Sequence, residues 1–175
     1  DALGANTTGQ FNNAFGHEAL ATATTVSNNS AFGHAALTAN TTGSSNSAFG
    51  STALDANTTG SNQTAIGVGA LSAATTGESN TAVGQASLSS LTTASNNTAI
   101  GRAALVSCNG SNNTALGFYA GQSISTGTDN VVIGYNAAIA ITTAIQNTAI
   151  GALAADALTT GNYNTAVGYN AMSAA

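Results

Sequence analysis

The side chains in this sequence that are best suited to chemistry are two histidines and an acidic neighbour. His17 and His34 are 17 residues apart, and Glu18 directly follows the first of them. Two imidazoles and a carboxylate could bind a transition metal if the fold brought them together. Surface histidines without such a role are far commoner, so we predict no metal site and no cofactor.

The six acids give little support for catalysis. Asp1 and Glu18 are 17 residues apart, and neighbouring carboxylates hydrolyse glycosides when they flank one bond. Asp1 is terminal, however, and no other polar group accompanies the pair. Asp55 and Asp156 are separated by most of the chain. We therefore predict no catalytic residues and no enzyme activity.

Cys108 is the single cysteine, so it cannot form an intrachain disulfide. A leftover cysteine in a secreted protein could pair between chains, whereas most free cysteines are small buried apolar groups. We align Cys108 with the first Thr of a T-T pair, which favours burial. The sequons that begin at Asn6, Asn40 and Asn57 could carry glycans, and the sequence leaves this open.

All of these residues belong to a repeat that runs through the chain. Its consensus is N-T-A-h-G-x-x-A-L-x-x-x-T-T-G-x-x, where h is Phe, Ile, Val or Leu. The first glycine of the consensus recurs ten times at intervals of 17, except for an interval of 16 between Gly101 and Gly117. So short a period indicates one structural unit stacked on copies of itself. We treat residues 1–175 as a single repetitive segment.

The repeat predicts an all-β fold, a parallel β-solenoid or β-roll of ten 17-residue coils. N-T-A-h-G is typical of a short strand that ends at a glycine. Alternation along this strand places Thr and h on one face and Ala and Gly on the other. A helix is disfavoured because 20 glycines are spread over the chain, and each costs about 1 kcal/mol inside a helix.

Two apolar positions are assigned to the interior. The first is h, because it is always apolar and is large in every repeat. This predicted core column consists of Phe15, Phe32, Phe49, Ile66, Val83, Ile100, Leu116, Ile133, Ile150 and Val167. The second lies four residues after the glycine: Leu20, Leu37, Leu54, Leu71, Leu88 and Leu105, then Gly121, Ala138, Ala155 and Met172. Because this second column loses its leucines, we expect the later coils to pack differently.

A carboxamide stands four residues before the glycine in every repeat. Stacked at the strand spacing of about 4.8 Å, each amide can donate to the next and form a ladder. The predicted ladder is Asn12, Asn29, Asn46, Gln63, Asn80, Asn97, Asn113, Asn130, Asn147 and Asn164. The T-T pairs form a further column, and we expect the glycine after most of them to have positive φ.

The composition of the chain argues against two classes of function, nucleic-acid binding and membrane spanning. Charged residues are 4% of the chain, with one Arg, no Lys and a formal charge of −5. Without a basic patch we predict no nucleic-acid partner. No apolar run approaches the roughly 20 residues of a membrane span, so we predict none.

The segments TTGSNQTAIGVGAL, NNTAIGRAAL and TTGNYNTAVGYNAM carry a resemblance. They resemble repeats of phage tail-fibre proteins that end in an endosialidase-type intramolecular chaperone. They are also similar to the head repeats of trimeric autotransporter adhesins, although the period here is longer. The resemblance implies a trimeric, parallel, left-handed β-roll outside the cell, on a cell surface or a virion.

From these observations we expect a structural shaft of an extracellular fibre, either a phage tail fibre or a bacterial surface filament or adhesin stalk. Its expected partners are copies of itself, as a homotrimer or end to end in a longer fibre. One alternative is an adhesin surface for a receptor or glycan, with the tyrosines of the C-terminal half as contacts. The other is an ice-binding β-solenoid with columns of Thr.

Overall fold

The computed structural model describes residues 1–173, which form a parallel β-solenoid, as predicted. Within this range each of ten coils contributes one short strand, and no helix occurs. The strands form a single sheet in sequence order. They are β1 Asn13–Phe15, β2 Ser30–Phe32, β3 Ser47–Phe49, β4 Thr64–Ile66, β5 Thr81–Val83, β6 Thr98–Ile100, β7 Thr114–Leu116, β8 Val131–Ile133, β9 Thr148–Ile150 and β10 Thr165–Val167.

Equivalent residues of successive repeats lie directly above one another. Ala65 pairs with Ala82 and Ile66 pairs with Val83, and the same alignment holds along the sheet. The shorter repeat keeps this register, because Thr98 pairs with Thr114 and Ile100 with Leu116. The missing residue is therefore absorbed outside the strand.

The assignment of position h to the core is wrong, because the alternation has the opposite sense. The strand alanines face inward, and Ala31 to Ala99 in this column are fully buried. Position h faces outward, and its members are exposed or half-buried. The interior of so narrow a coil already holds a leucine and a carboxamide, and the largest strand residue admitted there is Val132. The residues affected are Phe15, Phe32, Phe49, Ile66, Val83, Ile100, Leu116, Ile133, Ile150 and Val167.

The second predicted core column is confirmed for its leucines. Leu20 to Leu105 in this column are fully buried, whereas Met172 is exposed. Where the leucine is lost, a large residue three positions later fills the interior. Ile124 follows Gly121 in this way and Ile141 follows Ala138, and both isoleucines are fully buried. The later coils thus pack differently, as expected, with the apolar volume moved to a neighbouring position.

The glycine that ends each strand is required by its conformation and by the coil beside it. Gly84 has a φ of 129°, in a region that is essentially restricted to glycine. A Cβ atom there would lie 2.6 Å from the carbonyl carbon of Gly101. Leucines of the second column, four residues after the glycine, also have positive φ, with 52° at Leu71 and 50° at Leu88. The coil therefore includes left-handed residues that no glycine marks in the sequence.

Our explanation for the glycine of T-T-G is wrong. Gly43, Gly60 and Gly77 do not have positive φ, unlike the glycines at the strand ends. Glycine is favoured at these positions for a steric reason, since a Cβ on Gly60 would collide with the carbonyl oxygen of Gly77. Val26 and Ala94, which replace such glycines, are buried and also lack positive φ. These turns need close backbone approach and not a special dihedral angle.

Cys108 does not take the place of a Thr. It lies in the same column as Leu91 and Ile124, where its amide donates to the Leu105 carbonyl oxygen at 3.0 Å. The residue that replaces the T-T pair is Asn109. Its Oδ1 accepts hydrogen bonds from the Thr92 amide at 2.8 Å and from Thr92 Oγ1 at 2.9 Å. In complete coils a Thr carbonyl accepts both of these bonds, so an asparagine side chain substitutes for the missing backbone carbonyl.

Candidate functional site

No pocket occurs within residues 1–173, and the residues that the sequence singled out for chemistry lie mainly on the outer wall. The acids stay dispersed over this wall. Asp1 is exposed at the first residue, and Asp55 and Asp156 remain six coils apart. Partial burial raises the pKa of Asp55, while backbone N–H groups of Asp55 and Ala56 counteract the effect. Glu18 alone among these acids has His17 and His34 beside it.

The ten carboxamides lie in file along the interior, as the sequence predicted. At a typical step the backbone amide of Asn97 donates to Asn80 Oδ1 at 3.0 Å, and Asn97 Nδ2 donates to the same oxygen at 3.2 Å. Asn80 Nδ2 in turn donates to the Ala94 carbonyl at 2.9 Å. Each carboxamide thus joins two coils, and six of the asparagines also tie the strand to the turn of the next coil. The carboxamide groups are used for structure and are not offered to a ligand.

Gln63 keeps the file continuous by a different route. Its backbone amide donates to Asn46 Oδ1 at 3.0 Å, and its Oε1 accepts from Asn80 Nδ2 at 3.2 Å. Its longer side chain also reaches Asn57, whose Oδ1 accepts from Gln63 Nε2 at 3.1 Å. The sequence did not reveal this inner carboxamide at Asn57.

Of the sequons that begin at Asn6, Asn40 and Asn57, the last two are inside the coil. Asn40 and Asn57 are fully buried. Asn57 Nδ2 donates to Asn40 Oδ1 at 3.1 Å and to the Gly60 carbonyl at 3.0 Å. An enzyme cannot reach these amides in the folded chain, so glycans there would require modification before folding.

The T-T pairs also use hydroxyl groups within the stack. Thr41 Oγ1 donates to the Thr58 carbonyl at 3.0 Å, and Thr58 Oγ1 donates to the Thr75 carbonyl at 3.1 Å. The first hydroxyl of the pair therefore stabilises coil stacking. This weakens the case for the T-T column as a surface that binds ice.

The outward side of the ten strands forms an uncharged surface with an unbroken column of apolar side chains, which we call the strand face. It consists of the h side chain and the residue two positions earlier, which is usually Thr or Ser. Ile66 is 43% exposed and Leu116 is 45% exposed. The rings of Phe32 and Phe49 stack with centroids 4.8 Å apart. No charged residue lies on this face.

A second surface feature surrounds the only arginine of the chain. The Arg102 guanidinium carbon lies 5.4 Å from the ring centroid of Phe118 and 5.5 Å from that of Tyr119. Arg102 also donates to Gln85 Oε1 at 3.0 Å and to the Tyr119 hydroxyl at 3.1 Å. Tyr135 stacks on Phe118 with centroids 5.7 Å apart. We call these five residues the Arg102 cluster, and it lies in the half of the chain where the sequence placed its tyrosine contacts.

The histidines come together as their spacing suggested. His17 and His34 have nearly parallel rings with centroids 5.5 Å apart. Possible ligand atoms of both histidines and of Glu18 all lie within 4.8 Å of one another.

The fold and its outer wall define a parallel β-solenoid with an apolar strand face. Comparison of the chain with models of known protein families, with curated proteins and with solved structures found no match. Within residues 1–173 there is no helix long and apolar enough to cross a membrane.

Proposed function

We propose that the chain is a structural segment of an extracellular fibre in which identical copies associate through the strand face. The exposed h column is the observation on which this proposal depends. Large contiguous apolar patches on a soluble protein mark interaction surfaces, and this patch follows all ten strands. Association that removes this surface from contact with water is favourable by about 25 cal/mol per Å² of apolar area.

A second copy of the same chain is the partner that fits this surface best. Its own h side chains recur at the same strand spacing of about 4.8 Å, so parallel copies can match along their whole length. The absence of charge on the strand face within the described residues disfavours a partner recognised through ion pairs. The resemblance to trimeric fibres makes three copies the expected number. In such a fibre the coils provide length and stiffness.

Sedimentation equilibrium of the chain tests this proposal. We expect a trimer, and we expect Ile66→Asp combined with Ile100→Asp to yield folded monomers. Thr59→Asp combined with Thr93→Asp is the matched control, because both threonines are exposed in turns away from the strand face. This control should remain trimeric. A parent chain that stays monomeric at about 100 µM, where a pairwise contact of only about 5.5 kcal/mol is already half formed, would overturn self-association.

The extracellular location requires a separate measurement. Antibodies against the chain should label the outside of intact cells or virions from its source. Labelling only after lysis would contradict the location and leave the oligomer unaffected.

The Arg102 cluster supports a second candidate function, the binding of a glycan with an acidic sugar. Stacked aromatic rings offer flat apolar faces to a sugar, and a guanidinium with unused donors suits a carboxylate. On a glycan array the parent chain should then bind acidic glycans, and the Arg102→Gln and Tyr135→Ala variants should bind them more weakly. Tyr163→Ala is the control, because Tyr163 is exposed elsewhere on the wall. Equal binding by all variants would exclude this site.

The strand face also favours one version of the ice-binding alternative. Thr64, Thr81 and Thr98 stand in file beside the h column. If the chain is monomeric, this face stays open to ice. Thermal hysteresis in a droplet assay, abolished by Thr81→Lys, would support ice binding over a fibre.

A further inference from the structure

We propose that His17, His34 and Glu18 form a binding site for a divalent transition-metal ion, of which Zn²⁺ is the representative. The inference is independent of the proposed fibre function, because the residues belong to one chain and lie beside the strand face. It depends on three potential ligand atoms that lie within 4.8 Å of one another. His17 Nδ1 and Glu18 Oε2 are 3.8 Å apart.

Stacking of the coils holds the two imidazoles in place. His17 and His34 occupy equivalent positions on successive coils, so their rings lie parallel at 5.5 Å, with only 6° between the planes. The backbone at this point is fixed by hydrogen bonds between coils. The Ala35 amide donates to the His17 carbonyl at 2.9 Å, and the Thr52 amide donates to the His34 carbonyl at 2.9 Å. The spacing between the histidines is therefore set before an ion arrives.

The backbone also brings Glu18 to the same side. Glu18 has a φ of 59°, in the left-handed region that few non-glycine residues adopt. This turn of the chain places the carboxylate beside the ring of His17. Two nitrogens and one oxygen then converge from two coils.

This ligand set selects the class of metal. Imidazole suits Zn²⁺, Cu²⁺, Ni²⁺ and iron, whereas Ca²⁺ and Mg²⁺ prefer oxygen ligands alone. Tetrahedral Zn²⁺ with bonds of about 2.0–2.1 Å needs ligand atoms about 3.3 Å apart. The side chains of His17 and Glu18 are 68% and 51% exposed, so small rotations can close the remaining distance. A fourth position stays open to water.

Isothermal titration of the full chain without a histidine tag, with zinc chloride as the probe, tests the site. We expect one ion per chain. His34→Ser and Glu18→Ala should each weaken binding at least about tenfold, because the loss of a residue that only supports a metal ligand already has an effect of this size. Both substitutions introduce the residue that the next coil has in the same position, Ser51 and Ala35, so the fold should be retained. Ala152→Ser, in the histidine column far from the site, is the matched control and should bind as the parent does.

Electron paramagnetic resonance with Cu²⁺ as the probe reports which atoms bind. The parent should show two coordinating imidazole nitrogens, and His34→Ser should show one. A parent that binds no Zn²⁺, or a His34→Ser variant with unchanged affinity, would overturn the proposal. One ion per three chains would also overturn it, because the site would then lie on a symmetry axis.

Discussion

At the scale of single residues, the interior of the coil suppresses the chemistry of Cys108. Its side chain is fully buried, and burial raises the pKa of the thiol to about 11. The thiolate is the reactive form of cysteine, so little of it exists near neutral pH. The sulfur also accepts a contact from Asn113 Nδ2 at 3.5 Å. An interchain disulfide through Cys108 is therefore inconsistent with the folded coil.

This burial predicts that Cys108 reacts with Ellman's reagent only after unfolding. At about pH 8, where a free thiol is partly ionised, the native chain should label very slowly and the denatured chain rapidly. The control combines Cys108→Ser with Ser107→Cys, which moves the thiol to an exposed neighbouring position. That variant should label rapidly in the native state. Fast labelling of the parent would contradict the burial of Cys108.

Asp55 makes the stability of the folded chain depend on pH, and the sign of this dependence follows from its pKa. Desolvation raises the pKa of Asp55 in the folded chain above its ordinary value of 3.8. The folded state then holds the proton more tightly than the unfolded state does, so this group favours folding more as the pH falls towards 3.8. Above the folded pKa that contribution is lost, and the charged carboxylate is partly desolvated.

Because solvent screens this partly exposed carboxylate, we expect Asp55→Ser to raise the free energy of unfolding at pH 7 only slightly, by no more than about 0.5 kcal/mol. Ser72 occupies the same position in the next coil, so the substitution is compatible with the fold. The gain should shrink as the pH falls below the folded pKa. Urea unfolding at several pH values measures this, and a gain that grows towards low pH would contradict the assignment.

At the scale of a coil, Asn109 shows how a deletion is tolerated. Its side chain accepts both hydrogen bonds from Thr92 that a backbone carbonyl accepts elsewhere. Its Nδ2 also donates to the Ser90 carbonyl at 3.1 Å. One asparagine thus performs the structural task of two residues.

Asn109→Ala should lower the free energy of unfolding by about 1–2 kcal/mol, because each hydrogen bond contributes about 0.5–1.5 kcal/mol. Replacing Asn109 by two threonines restores the 17-residue repeat and should recover the parent stability. Chemical denaturation followed by circular dichroism measures both variants. If Asn109→Ala were as stable as the parent, the side chain would not be substituting for the backbone.

The coil also shows which features the sequence could predict. The repeat predicted the solenoid, the register and the file of carboxamides, since equivalent residues must stack. Alternation separated Ile66 from Ala65, but it could not say which faced inward, and we chose the larger residue. The decisive factor was the narrow interior, which Leu71 and Asn80 already occupy. The left-handed conformation of Leu71 has no signature in the sequence, because glycine would normally mark it.

The pairing of the two histidines and the Arg102 cluster were predictable to different degrees. The shared repeat position of His17 and His34 was enough to suggest that they meet. In the Arg102 cluster, four residues share the repeat position of the histidines, so the repeat stacks them: Gln85, Arg102, Phe118 and Tyr135. Tyr119 lies one position later, so spacing alone did not connect it to Arg102. Their contact depends on the directions of long side chains on the wall, which a repeat pattern does not encode.

At the scale of the whole molecule, the coils share one continuous interior in which a large apolar side chain can stand at either of two neighbouring positions. Early coils place a leucine four residues after the glycine, whereas Gly121 leaves that space to Ile124. A Cβ on Gly121 would lie 2.9 Å from Leu105 Cδ2 and 3.0 Å from Ile124 Cδ1. Each coil packs mainly on its neighbours, so such exchanges stay local in a solenoid.

The crowding at Gly121 predicts a thermodynamic cycle for Gly121→Leu and Ile124→Ala. Gly121→Leu alone should overpack the interior and lower stability by about 1–3 kcal/mol. Ile124→Ala alone should leave a cavity and lower it by about 2–5 kcal/mol. The double variant restores the leucine arrangement of the early coils and should be more stable than either single variant, with a coupling above about 1 kcal/mol. Denaturant unfolding of the four chains measures this, and additive losses would mean that the two positions do not share one space.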